Sequence, residues 1–273
     1  MLAGSAAGNP GVVARPITWD AALVGHHLAA LNALFATIQV LLGIGIAWRP
    51  TVRVALAASI AWSLGVWWFG EGLGMVLTGD VSPVSGAPGA VILYALLAVL
   101  LWPADRPASV APFTAARAVG APVARALWLV LWLSLAWFAL LPANRAPQAL
   151  HAMVAGMTDG EPGWLAGLDR GAASLVAHQG LAASIVLAIA LVIVAVGVCL
   201  PTPAARGTLV LAAVVAAVFW VFGQALWEIM TGGATDPNSG PLLALLALVY
   251  WPVRAAVTAP DHAASAPEGT TAS

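Results

Sequence analysis

The chain has 273 residues, of which 62% are hydrophobic and 8% charged, and its formal net charge is −1. Soluble domains run about 45–50% apolar and about 25% charged, so this chain lacks the polar side chains to coat a water-facing surface. A near-neutral chain has no basic field for nucleic acid, and its single cysteine, Cys199, cannot form an internal disulfide or a CxxC site.

Crossing a bilayer takes ~20 mostly apolar residues. The first twenty residues lack a basic start followed by an apolar run, so they read as mature chain rather than as a signal peptide. Apolar runs punctuated by Pro, Gly and Arg then predict seven transmembrane helices, at 21–48, 52–77, 89–102, 123–141, 173–200, 207–230 and 241–257. Trp19, Trp48, Trp102 and Trp251 fall near span ends and read as interface anchors, because indole is apolar with one donor. Trp128 and Trp132, four apart, form a stripe that reads as a packing or lipid face. Between the fourth and fifth spans, Leu150, Met153, Val154 and Met157 share one helical face, which predicts an amphipathic helix on the outer surface.

Orientation follows from arginine. With seven spans, one side holds Arg15, Arg145 and Arg170, and the other holds Arg49, Arg53, Arg106, Arg117, Arg125, Arg206 and Arg254. The Arg-rich side is expected in the cytoplasm of a plasma-membrane protein, with the N-terminus outside. The expected organisation is therefore an extracytoplasmic segment over 1–20, a three-helix unit over 21–102, and a cytoplasmic loop with a linking helix over 103–141. An extracytoplasmic loop over 142–172, a second three-helix unit over 173–257 and a disordered tail over 258–273 complete it.

The two units are a repeat. Ala21-Ala22-Leu23-Val24-Gly25-His26 matches Ala173-Ser174-Leu175-Val176-Ala177-His178 at an offset of 152, and Pro50 and Arg53 match Pro203 and Arg206 at 153. Trp67-Trp68-Phe69-Gly70 pairs with Trp220-Val221-Phe222-Gly223 at that same offset, which continues through Thr78-Gly79/Thr231-Gly232 to Pro88/Pro241. The fold class expected is all-α, a 3+1+3 membrane bundle in which the fourth helix restores direction, so that two parallel units share a pseudo-twofold axis along the membrane normal. SWEET-type sugar transporters have that plan, a likeness of topology alone. The stretches 67–74 (WWFGEGLG) and 86–98 (GAPGAVILYALLA) resemble a set of actinobacterial polytopic membrane proteins without an assigned activity, and the likeness covers the first unit best.

The unusual side chains gather on the outer side. His26 and His178 open the first helix of each unit at equivalent positions, and across a twofold axis they are expected to face one another. Paired imidazoles ligate copper or haem iron, and thioethers favour Cu(I), so His26, His178, His151, Met153 and Met157 are the candidate ligands. Each histidine has an equally simple role as a helix cap or headgroup-zone hydrogen bonder. Glu71 lies at the outer end of the second helix, where an ionisable group faces a bundle interior or water. Its repeat partner, Gln224, keeps the hydrogen-bonding shape without the charge, so His26, Glu71, His178 and Gln224 are expected to line one polar cavity that holds a cofactor or solute. Gly65, Gly70, Gly72, Gly74 and Gly79 crowd the same helix end and suit close backbone packing.

No nucleophile elbow, phosphate loop, HExxH or strand–helix GxGxxG occurs. Three readings remain. The first is a copper or haem protein of the outer face that handles metal or partners a redox complex. The second is a small-solute or proton-coupled transporter with its site between the units, and the third is a structural subunit of a membrane complex. The expected partners are the lipid bilayer and either a larger complex or further copies of the chain, with no nucleic acid.

Overall fold

The computed structural model describes residues 2–104, 111–158, 161–224, 226 and 236–253. The described residues are helical throughout, with no β-strand beyond a single bridge between Phe113 and Pro252. The long elements are α1 (Gly11–Ala47), α2 (Val52–Phe69), α3 (Ala90–Leu100), α4 (Ala121–Ala139), α5 (Ala149–Gly156), α6 (Gly163–Val176), α7 (Gly180–Gly197), α8 (Thr202–Val218) and α9 (Ser239–Val249). Among the described residues five stretches are long and apolar enough to cross a membrane: Ala29–Ala47 of α1, α2, α4, α7, and Thr202–Gly223, in which α8 runs on through a π-helical turn. Their exposed faces carry Val40, Leu41, Ile44, Val130, Val186, Ile189 and Val214, a surface suited to acyl chains.

Several span limits differ from the hydropathy reading, each for a local reason. Helix α2 stops at Phe69 rather than 77, because Gly72 and Gly74 adopt left-handed conformations at φ 57° and 62°. The apolar run 173–200 is two helices: α6 ends at Val176, His178 takes φ 63°, and Gly180 starts α7 with its N–H on the Pro147 carbonyl. A Cβ at Gly180 would strike the Ala146 carbonyl, so the chain enters α7 tight beneath that loop. Upstream, α1 begins at Gly11, ten residues before the first predicted span, and bends at His27. The run from 207 begins at Thr202; its end at 225–230, apart from 226, lies outside the described residues, as do the predicted tail and the end of the last span beyond 253.

Helices α3 and α9 are short. Eleven residues rise only about 16 Å, roughly half of a hydrocarbon core. Non-helical chain follows them at 102–104 and 251–253, and Arg53, second in α2, donates to the Pro103 carbonyl at 3.5 Å.

The short helices also correct the repeat register. Ala90–Leu100 and Ser239–Val249 differ by 149 residues, not 153, since Ser239 lies 15 positions after Gln224 whereas Ala90 lies 19 after Glu71. At this offset Leu93–Pro103 and Leu242–Pro252 share seven of eleven residues, ending on Trp-Pro in both. Pro88 thus pairs with Pro237, just before each N-cap, while Pro241 lies inside the first turn of α9. The gapless match of Pro88 to Pro241 runs through a loop whose length differs between the units. The other half of the Thr78-Gly79 match, 231–232, lies outside the described residues.

The core lies among α3, α4, α7, α8 and α9. Trp128 and Trp132 are buried here, so the tryptophan stripe is a packing face. Trp128 donates to the Val194 carbonyl at 3.0 Å and its ring centroid lies 4.6 Å from that of Tyr250. The Tyr250 hydroxyl in turn donates to the Ala124 carbonyl at 2.5 Å. Helix α5 forms at the predicted amphipathic segment, and its Leu150, Met153 and Val154 pack inward or are buried.

Candidate functional site

Glu71 follows α2 by two residues, in the turn made by Gly72 and Gly74. A Cβ on Gly74 would run into the Pro88 carbonyl and one on Gly72 into the Ser5 carbonyl, so the glycines are needed for close backbone approach. That approach brings the chain before α3 against the end of α2. Trp67 Nε1 donates to the Pro88 carbonyl at 2.8 Å, and the Val91 N–H, second in α3, donates to Glu71 Oε1 at 3.3 Å. Glu71 is thereby a cap supplied from a neighbouring helix end, meeting one of the free amides that open α3. Its other oxygen, Oε2, is buried with no hydrogen-bond partner.

A like joint forms between the end of α8 and the start of α9. Gln224 Oε1 accepts from Gly240 N–H, second in α9, at 3.1 Å. Both offsets hold here: 153 from Glu71 to Gln224 and 149 from Val91 to Gly240. The N-caps correspond too, since Gly89 has φ 105° and Asn238 φ 63°. Asparagine tolerates positive φ better than most residues, and its side chain also accepts from Ser239 N–H at 2.6 Å. Gln224 has an additional donor, which Glu71 lacks. Its Nε2 donates to Ser239 Oγ at 2.9 Å and to the Val84 carbonyl, in the first unit, at 3.4 Å.

Between these joints lies a cavity of about 430 Å³, walled by Glu71, Met75, Thr78, Asp80, Asp236 and Asn238 together with loop backbone. Among the described residues its wall contains three carboxylates and no Arg or His. The loop over 76–89 is held from behind by Asn144, whose buried amide donates to the Val81 and Phe138 carbonyls at 2.8 Å each. Burial, opposed by the Val91 bond and reinforced by the negative charge of Asp236, pushes the Glu71 carboxyl up to about 7. Asp236 is raised by burial as well, against a hydrogen bond from Asn238 N–H at 2.6 Å.

A further acidic pair joins Asp169, within helix α6, to Glu161, two residues before that helix. Asp169 is fully buried and faces Glu161, and none of the other described residues donates to their four oxygens. Burial raises both carboxyls above their ordinary range, and the adjoining carboxylate raises Glu161 further, to about 7.

The remaining candidates are dispersed. His178 is exposed in the break before α7, with Gln148 Nε2 2.8 Å from its Nδ1 and 3.1 Å from its Nε2. His151 Nδ1 donates to the Ala173 carbonyl at 2.9 Å, joining α5 to α6. Met153 packs on the core and Met157 closes α5. The side chain of His26 lies outside the described residues. Thus Glu71 lines the cavity and Gln224 sits at the equivalent joint, while His178 bonds to Gln148 and not to either of them. Among the described residues no group of three or more His, Cys, Asp or Glu is arranged to hold a metal ion. Asp80 and Asp236 reach the cavity from loops, and no spacing in the sequence links them to Glu71. No family model, curated protein or solved structure matches the chain.

Proposed function

We propose that the protein is a plasma-membrane carrier that exchanges a small cationic solute for a proton at the cavity between its two units. The observation that carries this reading is the cavity wall, where, among the described residues, three carboxylates meet no basic side chain and one carboxylate oxygen is buried without a donor. A carboxyl raised towards neutral pH binds either a proton or a cation, and competition between the two at one group is the simplest form of coupling. Burial of polar groups at a junction of repeats is also where transporters built from repeats hold their substrates.

In this reading the chain crosses seven times in the 3+1+3 plan. Helices α1, α2 and α3 form one unit, α4 links, and α7, α8 and α9 form the other, about a pseudo-twofold axis along the membrane normal. Supporting it are the equivalent Glu71 and Gln224 caps and the identities at offsets 152, 153 and 149. The arginine asymmetry places the N-terminus and the cavity outside and the C-terminus in the cytoplasm. The copper or haem reading draws no comparable support from His151 and His178, whose ring nitrogens meet Ala173 and Gln148.

The test uses purified protein in liposomes loaded with a pH-sensitive dye. Sodium, ethylammonium and tetramethylammonium are added outside in turn. At least one is expected to drive proton release from the lumen, and Glu71→Gln to abolish it with the melting transition retained. No proton movement with any of these cations, or full movement in Glu71→Gln, refutes the reading.

A further inference from the structure

We infer that the α1 face carrying Asn32, Ala36, Gln39 and Gly43 is the contact surface for a second copy of this chain. The argument starts from α7, the repeat equivalent of the α1 span at an offset of 152. Two stripes of α7 are covered. Gly197 meets Thr208, so the stripe through Val194 and Gly197 faces α8. The adjacent stripe, Ser184, Ala188, Leu191 and Ala195, is buried on the side where α7 packs against α4.

On α1 only the first stripe has a neighbour. Phe35 meets Trp62 edge-on at 5.3 Å between centroids, and a Cβ on Gly45 would lie 2.8 Å from Ala55, so this side faces α2. The positions equivalent to the α4-facing stripe are Asn32, Ala36, Gln39 and Gly43, and all four are exposed. At 100° per residue they fall within about 60° of one another and about 110° from the α2-facing side. None of the described residues bonds to the Asn32 or Gln39 amide. The other exposed residues of the Ala29–Ala47 span are apolar, apart from Thr37, which donates to the Ala33 carbonyl of its own helix at 2.7 Å.

Lipid offers an amide no hydrogen-bond partner, and small residues beside such amides allow a second helix to approach. A second copy fits this face for a specific reason. Copies in one bilayer share an orientation, so a twofold axis along the membrane normal sets α1 parallel to its mate. Asn32 then lies opposite Asn32 and Gln39 opposite Gln39. An amide carries both a donor and an acceptor, so each pair is self-complementary, with Ala36 and Gly43 giving the clearance. The second α1 takes the place that α4 takes on α7. This surface is independent of the acid-lined cavity and of any transport.

Disulfide trapping tests it. Ala36→Cys and Leu34→Cys, the latter on the opposite side of α1, are each made with Cys199→Ala and oxidised in the membranes of the producing cells. Ala36→Cys is expected to give a product of twice the chain mass and Leu34→Cys none, and adding Asn32→Leu and Gln39→Leu is expected to reduce the Ala36→Cys product at least fivefold. If the Ala36→Cys protein remains monomeric, links to a protein of another mass, or links no more than Leu34→Cys, the inference fails. An undiminished product after both leucine substitutions in a protein of unchanged melting behaviour overturns it equally. Should those leucines prevent folding, the comparison of Ala36→Cys with Leu34→Cys decides alone.

Discussion

Glu71→Gln should make the protein more stable at pH 8, with the gain fading as the pH falls towards 5. The Glu71 carboxyl stands at about 7 against an ordinary 4.5, so the native state holds a proton that the unfolded chain releases. A raised carboxyl contributes stability that is complete below the unfolded value and is lost as pH rises through the folded one. Each tenfold difference in proton affinity between the folded and unfolded states is worth about 1.4 kcal/mol. Linkage then puts the cost of keeping this carboxyl at about 3 kcal/mol at pH 8 and about 1 kcal/mol at pH 5. Glutamine keeps the acceptor on Val91 N–H, removes the charge and is the residue already used at the equivalent joint, Gln224. Between pH 5 and 8 the wild-type protein should therefore lose about 2 kcal/mol more than the variant, on the order of 5 °C in the melting midpoint. Intrinsic tryptophan fluorescence during heating reads this directly, since the chain has 13 Trp. Wild-type and variant midpoints that run parallel from pH 5 to 8 would show that Glu71 does not hold a proton, and would remove the basis for coupling.

Asp169→Asn should raise the melting midpoint at pH 8 and have little effect at pH 5, because it replaces one of two facing carboxylates that lack donors; equal midpoints at both pH values would exclude a shared proton. Asn144→Ala should cost roughly 1–3 kcal/mol in a denaturation series, as it strands the Val81 carbonyl in a buried site while Phe138 keeps the Leu141 N–H, and a loss below ~0.5 kcal/mol would contradict the bonds described. Gly74→Ala should destabilise by more than ~2 kcal/mol, since it combines a left-handed φ of 62° with a clash on the Pro88 carbonyl, whereas Gly65→Ala, with open space at its Cβ, should be nearly neutral. Single cysteines at Ala7 and Ala264, each with Cys199→Ala, should label from outside intact cells at 7 only; labelling at 264 alone would invert the orientation.

The long apolar helices and the identities at fixed offsets were legible in the residues because both depend on one-dimensional quantities. Hydropathy sums along the chain, so the runs that became α4 and α7 stand out wherever they sit in the fold, and residue identity at a fixed offset needs no coordinates. The pairing of Glu71 with Gln224 was visible for that reason. Interruptions were not, because they depend on what the chain meets. Nothing in the apolar run through Leu175 and Val176 marks the break before Gly180, which exists because the Ala146 carbonyl leaves no space for a Cβ. The four-residue change in register was masked because Pro241 offers a false match to Pro88, and the start of α9, with the identities over 242–252, makes Pro237 its counterpart. The cavity was beyond sequence altogether. Glu71 and Asp236 are 165 positions apart and line one cavity, so the charge that each feels is set by tertiary contact and not by any local pattern. Histidine placement was decided at the same level. Repeat symmetry aligns His26 with His178, but a left-handed backbone at His178 and a nearby Gln148 determine which partner its imidazole finds.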